Sequence, residues 1–221
     1  ALAHLLVNVA KGAGLPTTAL VTDMNEPLAD AVGNALEIEN ALSFLRGETR
    51  GTRLERLVLA TAAEMIANAT GSDNEDALRQ ADAVLANGTA LEVFGRMVTG
   101  LGGAADLVDH PEKYLAKAPV IRPVEAPASG YISTIDARAI GISVVSLGGG
   151  RRKPDDVIDH SVGYSGLKPI GTRIEAGEPL GFVHAAREAD AIQAAASLLE
   201  AMKLADLPPV ERPLILQRIV A

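Results

Sequence analysis

The chain has 221 residues, 48% of them hydrophobic and 22% charged, enough to build a proper core in one large or two ordinary domains. Lys plus Arg total 20 against 28 for Asp plus Glu, a formal charge of -8, so no global attraction to nucleic acid or to an anionic membrane is expected. There is no Cys; disulfides, thiolate chemistry and Cys-based zinc sites are excluded together, and a reducing cytoplasm is the expected compartment.

Residues 1–11 place Leu2, Leu5, Leu6 and Val9 at helical spacing, and Gly12, Gly14 and Pro16 stop the pattern. The stretch is broken by His4 and Asn8 and is too short for the roughly 20 apolar residues of a membrane span. Because the pattern starts at Ala1 with no Met, the expectation is that the chain is a piece of a longer one. Thr17 to Thr22 is β-branched and apolar enough for a buried parallel strand, which suggests an α/β unit. The loop that follows, Asp23 to Pro27, is where open α/β sheets build their sites.

Helices are predicted over 34–45, 54–68, 75–86 and 91–99, closed by or near Gly47, Gly71 and Gly100, with Asp73 as an N-cap. From Gly102 to Pro123 the composition turns to Gly, Asp, His, Lys and Pro with a short helical patch around 113–117, and the domain boundary is placed there. Beyond Val124 the pattern becomes short strands: Tyr131, Ile132 and Ile135, then Ile140, Ile142, Val144, Val145 and Leu147, then 157–162 and pieces of 170–183. A helix over 190–205 follows, with Ile192, Ala195, Leu199 and Met202 on one face. The domains expected are thus 1–104, α/β; 105–123, a linker; and 124–221, α+β.

Four His residues, His4, His110, His160 and His184, are scattered without metal-ligand spacing, and satisfied structural roles are favoured for each. No nucleophile elbow, Walker loop or dinucleotide fingerprint is present. Gly148 to Gly150 beside Arg151 and Arg152 allow a phosphate cradle, in which consecutive backbone N–H groups and two guanidinium groups hold an anion; a plain turn with two solvated Arg is the bland reading. Glu200-Ala201-Met202-Lys203-Leu204 resembles the biotin carrier signature, and Gly171 to Leu180 has the glycine corners of barrel-sandwich domains. The carrier Lys needs a tight hairpin soon after a Gly-x-Pro-Leu turn. Here Gly177-Glu178-Pro179-Leu180 lies far upstream, so Lys203 is read as a solvated residue near a helix C-terminus.

Four segments in register carry a wider resemblance: Thr17 to Asn25 (TTALVTDMN), Ala31 to Glu37 (AVGNALE), Val93 to Val98 (VFGRMV), and Gly148 to Arg152 continuing through Asp159 to Gly163 (DHSVG). So ordered, they resemble the thymidine and pyrimidine-nucleoside phosphorylase family, in its C-terminal half only. The resemblance implies the C-terminal part of a phosphate-binding α/β domain followed by an α+β domain of hammerhead or barrel-sandwich type. It implies phosphorolysis of a pyrimidine deoxynucleoside to free base and 2-deoxyribose 1-phosphate, with the catalytic, phosphate-binding and base-binding residues in a front half outside this chain. No cofactor is required, and phosphate and nucleoside are the partners of an intact, homodimeric enzyme. A structural potassium ion is implied at the carbonyls of Leu28 and Ala31 and the side chain at position 40, where relatives have Glu and this chain has Asn40. Arg151 and Arg152 are placed over phosphate in the closed cleft. Two other readings stay open: a self-standing biotinyl or lipoyl carrier module, and a degenerate paralogue with a regulatory role.

Overall fold

The computed structural model describes residues 1–220 and is a mixed α and β fold. The first stretch holds α1 (Leu2–Gly12), β1 (Thr18–Thr22), α2 (Asn34–Leu45), α3 (Arg53–Thr70), α4 (Asn74–Ala86) and α5 (Thr89–Gly100). The second holds β2 (Val120–Glu125), β3 (Gly130–Ile135), α6 (Ala137–Val144), β4 (Gly163–Ser165), β5 (Arg173–Ile174), β6 (Pro179–Ala185), α7 (Glu188–Ala201), β7 (Met202–Ala205) and β8 (Ile215–Val220).

Local chemistry explains the helix starts. Thr52 accepts the Glu55 N–H at 3.2 Å while the Glu55 carboxylate reaches back to the Gly51 N–H, a reciprocal cap of α3. Asp73 accepts the Asp76 N–H at 2.7 Å and starts α4 as expected. Gly71, in the left-handed region, closes α3.

The chain divides into two compact units that interleave in sequence. Among the described residues the first gathers 1–23, 43–100 and 212–220; the second gathers 24–42 and 101–211. In the first, β1 pairs antiparallel with β8, Thr18 opposite Val220. This corrects the expectation of a buried parallel strand: the partner runs back from the far end of the chain with no helical crossover to turn it, and every β1 residue is only half-buried. Helices α3 and α4 pack through small residues, Ala63, Ala77 and Ala81, all buried.

The second unit contains two three-stranded antiparallel sheets, ordered β2-β6-β4 and β5-β3-β7. Helices α6 and α7 close its core, in which Ile132, Ile140, Leu180, Val183 and Leu198 are almost wholly buried. Each such side chain contributes roughly 1.5–3 kcal/mol of transfer free energy.

Three expectations for this unit are corrected. Residues 140–147 form no strand; they belong to α6 and a one-turn π extension over 145–149. Asp136 accepts the Ala139 N–H at 2.9 Å as the helix cap, and Ile140 and Val144, one turn apart, are the buried pair, so the true period is helical despite the β-branched run. Residues 157–162 are also not a strand: the Asp159 carboxylate takes both the N–H and the hydroxyl of Ser161, committing the backbone to a turn. The last helix ends at Ala201, after which β7 begins. Its buried face is Ala191, Ala194, Leu198 and Ala201, while Ile192 and Leu199 are exposed, because the alanine stripe lets the helix approach its sheet closely.

Candidate functional site

Two of the four sequence segments singled out above, 31–37 and the one running from 148 through 163, meet at one junction in the second unit. Val32, just before α2, and Tyr164, in β4, form an isolated antiparallel bridge with reciprocal backbone hydrogen bonds of 2.9 and 2.8 Å. Gly33 (φ 143) and Gly163 (φ 149) face each other beside it. A Cβ on Gly33 would fall inside van der Waals contact of the Val162 carbonyl oxygen, and one on Gly163 would strike that of Val32. Only glycine permits both the dihedral and the approach.

Further contacts fasten the same place. The Ala35 N–H donates to the His160 carbonyl at 3.0 Å, and the Asn34 amide donates to the Gly149 carbonyl at 3.0 Å. The Asp159 N–H donates to the Gly148 carbonyl, and the Leu167 N–H to the Asp30 carbonyl, both at 2.9 Å. Glu37 accepts the Gly33 N–H, and Glu26 accepts the Ile170 N–H at 2.7 Å. The loop 24–33 is therefore clamped at both ends. Directly beneath, Tyr164 is fully buried; its hydroxyl bonds Ser143 at 2.5 Å and donates to the Ala194 carbonyl at 3.0 Å.

Of the three residues expected to hold a cation, Leu28 and Ala31 lie on this loop and Asn40 lies in α2. Ala31 is buried and Leu28 is at the surface. The Asn40 amide donates to Asp30 at 2.5 Å, so position 40 reaches back to the residue just before Ala31. That contact places the Asp30 carboxylate beside the Asn40 amide. Among the described residues no group of three or more His, Cys, Asp or Glu is placed to hold a metal ion. Asp30 was not legible as a partner of Asn40, since only the return of α2 brings the two together.

The glycine turn behaves differently from a cradle of N–H donors. Gly148 takes the left-handed region at φ 99, and the carbonyls of Gly148 and Gly149 are what the junction uses. The N–H groups of Arg152 and Lys153 both donate to the Asp156 carboxylate, at 2.9 and 3.0 Å. The anion seat next to the two arginines is thus filled from within the loop. Arg151 and Arg152 are exposed.

The histidines stay scattered. His184 is half-buried in β6, hydrogen-bonded to Ser165 at 2.8 Å, and its burial pushes the imidazole below its ordinary pKa. His110 lies 3.4 Å from Glu112 on the surface. Lys203 is exposed in the middle of β7, opposite Thr134 of β3. It follows α7 directly, so the hairpin that a carrier Lys requires is not its setting, and the helix-end role expected for it is corrected to a strand position.

In the first unit a groove of about 360 Å³ runs between β1 and α3, lined by Thr18, Leu20, Thr22, Leu57, Glu64 and Met65 among others. Its acid, Glu64, is gripped by the Arg218 guanidinium at 2.5 and 2.9 Å, which holds the carboxyl below the usual range. A groove whose charged wall is a carboxylate is no seat for phosphate.

Residues 131–205 match the family model of the pyrimidine nucleoside phosphorylase C-terminal domain. The chain is 52% identical over 221 residues to a protein named thymidine phosphorylase from Rhizobium meliloti (strain 1021), covering 100% of this chain and 50% of the relative. Proteins of the same name from Agrobacterium fabrum and Mesorhizobium japonicum are 49% and 50% identical, again over half of their own length. The chain spans about half the length of the curated relatives it matches.

Proposed function

Because the chain belongs with the C-terminal halves of the thymidine and pyrimidine-nucleoside phosphorylase family, we propose that it serves in the reversible phosphorolysis of thymidine as the dependent half of a pentosyltransferase. In that reaction an oxygen of phosphate bonds to C1′ of the deoxyribose as the C1′–N1 bond breaks; the bonding pair leaves on the pyrimidine, which gains a proton. The observation that carries the reading is collinear identity of about half over the full chain, together with the convergence of residues 31–37, 148–150 and 159–163 on one glycine junction.

In this reading no residue of the chain is catalytic. Its second unit is scaffold: the clamped loop 24–33 and the packed sheets hold a fixed surface against which the half carrying the substrate sites works. Leu28, Ala31 and Asn40, with Asp30 beside the last, form the chain's share of a structural potassium site. Arg151 and Arg152, exposed and next to a self-closed loop, cover phosphate when the cleft shuts. The intact enzyme is a cytoplasmic homodimer that binds neither nucleic acid nor membrane; no helix of the described residues is long and apolar enough to cross one. Which pyrimidine nucleosides it accepts is decided by the other half.

The test is an assay of thymine release in phosphate buffer. The chain joined in line behind the N-terminal half of the Rhizobium meliloti relative should be active and the 221 residues alone silent; a silent joined enzyme, well folded, overturns the proposal.

A further inference from the structure

Strand β4 is short, Gly163, Tyr164 and Ser165, and is held from two sides. Along one edge it pairs with β6, Ser165 opposite Phe182 and Gly163 opposite His184. Along the other it carries the glycine junction: Tyr164 and Val32 exchange backbone hydrogen bonds, and just past the strand the Leu167 N–H donates to the Asp30 carbonyl. So short a ladder is a weak hold. A side-chain bond reinforces it, between the Ser165 hydroxyl and His184 Nε2 at 2.8 Å, beside the Tyr164 bridge that fastens loop 24–33.

His184 is placed to release that hold. Its neighbours across the sheet, Ile121 on β2 and Gly163 on β4, bring no charge to it. Burial lowers the imidazole, and no charged group adds to that effect. The charged side chains of the elements packed around it are engaged elsewhere: Arg122 of β2 with Glu188 of α7, and Asp190 of α7 with Arg187. Glu26 takes the Ile170 N–H, Asp30 the Asn40 amide and Glu37 the Gly33 N–H. Glu125 on β2, Lys168 after β4 and Glu200 near the end of α7 are exposed. A neutral imidazole suits this place, either accepting the Ser165 hydroxyl proton or donating to its oxygen. A protonated one can only donate, and its charge meets no carboxylate. Swinging the ring into water relieves the charge and breaks the bond to Ser165.

We infer that the Ser165–His184 pair is a proton-operated latch on the glycine junction: at neutral pH it pins β4 and with it loop 24–33, and protonation of His184 lets the Val32–Tyr164 bridge open. In the open form the hydrated ring has its ordinary pKa of about 6.5, and in the closed form a lower one, so opening takes up a proton and is favoured as pH falls between the two. Across that window the open population rises by up to about tenfold per pH unit. The latch belongs to the second unit itself and stands apart from the phosphorylase reading.

Amide exchange of Val32, Tyr164 and Leu167 tests it, followed by NMR on the 221-residue chain from about pH 7.5 to about pH 5 and corrected for intrinsic rates. All three should quicken severalfold below about pH 6.5, while the Ile132 N–H, bonded to Thr172 away from this sheet, lags behind. His184→Gln keeps a hydrogen-bonding amide that cannot titrate and should flatten the response. Ser165→Ala should free the bridge already at neutral pH and leave it insensitive to the imidazole, which still titrates in its own Cε1–H signal. Glu26, Asp30 and Glu37 titrate only below about pH 4.5 and stay outside the window. The latch is overturned if the response persists in His184→Gln, if Ser165→Ala exchanges like the parent chain at every pH, or if Ile132 quickens in step with the bridge. Should His184→Gln not fold, Ser165→Ala decides alone.

Discussion

The two units of this chain close their cores to different degrees. The second buries large side chains, Ile132, Ile140, Tyr164, Leu180 and Leu198, within two sheets and two helices. The first buries fewer, with Val7, Phe44, Leu85, Leu214 and Ile219 beside Ala63, Ala77 and Ala81, and leaves the α1 leucines, Met65, Val93 and Met97 in solvent. A unit packed like the second is held by its own core; one packed like the first leaves more of its apolar surface to water.

The comparison breaks most visibly at the glycine junction. Gly163→Ala or Gly33→Ala must both force a side chain into a carbonyl and strain a positive φ, and each should cost about 3 kcal/mol or more in the second unit. Gly12→Ala, where the added methyl meets nothing, should change stability by no more than about 0.5 kcal/mol. Chemical denaturation followed by circular dichroism distinguishes them. Equal effects from all three would mean that the junction is not a constraint.

Tyr164→Phe comes next. It removes the hydroxyl that joins Ser143 to the Ala194 carbonyl and strands both in the core, for a loss of about 2 kcal/mol. In the first unit, Arg218→Met takes the guanidinium from Glu64; with Arg218 itself 47% exposed, the loss should be nearer about 1 kcal/mol. If Arg218→Met proved the more damaging, the ranking of the two units would be reversed.

The smallest effect is in pH. Burial lowers the His184 imidazole in the folded state, so below about pH 6.5 the unfolded chain binds the extra proton first and the second unit weakens as pH falls toward the folded value. Glu64 is lowered by its bonds to Arg218, so its contribution is complete above about pH 4.5 and is lost only as pH falls further. Amide exchange in β6 should therefore quicken, after correction for intrinsic rates, at a higher pH than exchange in α3. The opposite order would contradict both assignments.

Much of the helical part was legible in the sequence because its signals are local. Asp73 caps α4, Gly71 closes α3, and residues 34–45 are helical over the span their pattern predicts. The misread stretch 140–147 shows why propensity alone fails: β-branched residues prefer strands, yet Asp136 as a cap and the four-residue step from Ile140 to Val144 were present and decisive. Strand β8 and the Asn40–Asp30 contact had no local signal, since each depends on a partner brought from elsewhere by the fold. The junction was half legible. Its glycines and segments stood out as motifs, but their convergence joins residues more than a hundred positions apart, such as Asn34 and Gly149, which no spacing reveals. Asp156, which fills the seat beside Arg151 and Arg152, has no signal of its own in the sequence, where the glycines upstream are equally compatible with an external anion.

That the chain is a dependent half is tested most directly by thymine release from thymidine and phosphate, measured for the 221 residues alone and for the same chain joined behind the N-terminal half of the Rhizobium meliloti relative. The account predicts no turnover from the first and thymine with 2-deoxyribose 1-phosphate from the second; turnover by the 221 residues alone would contradict it.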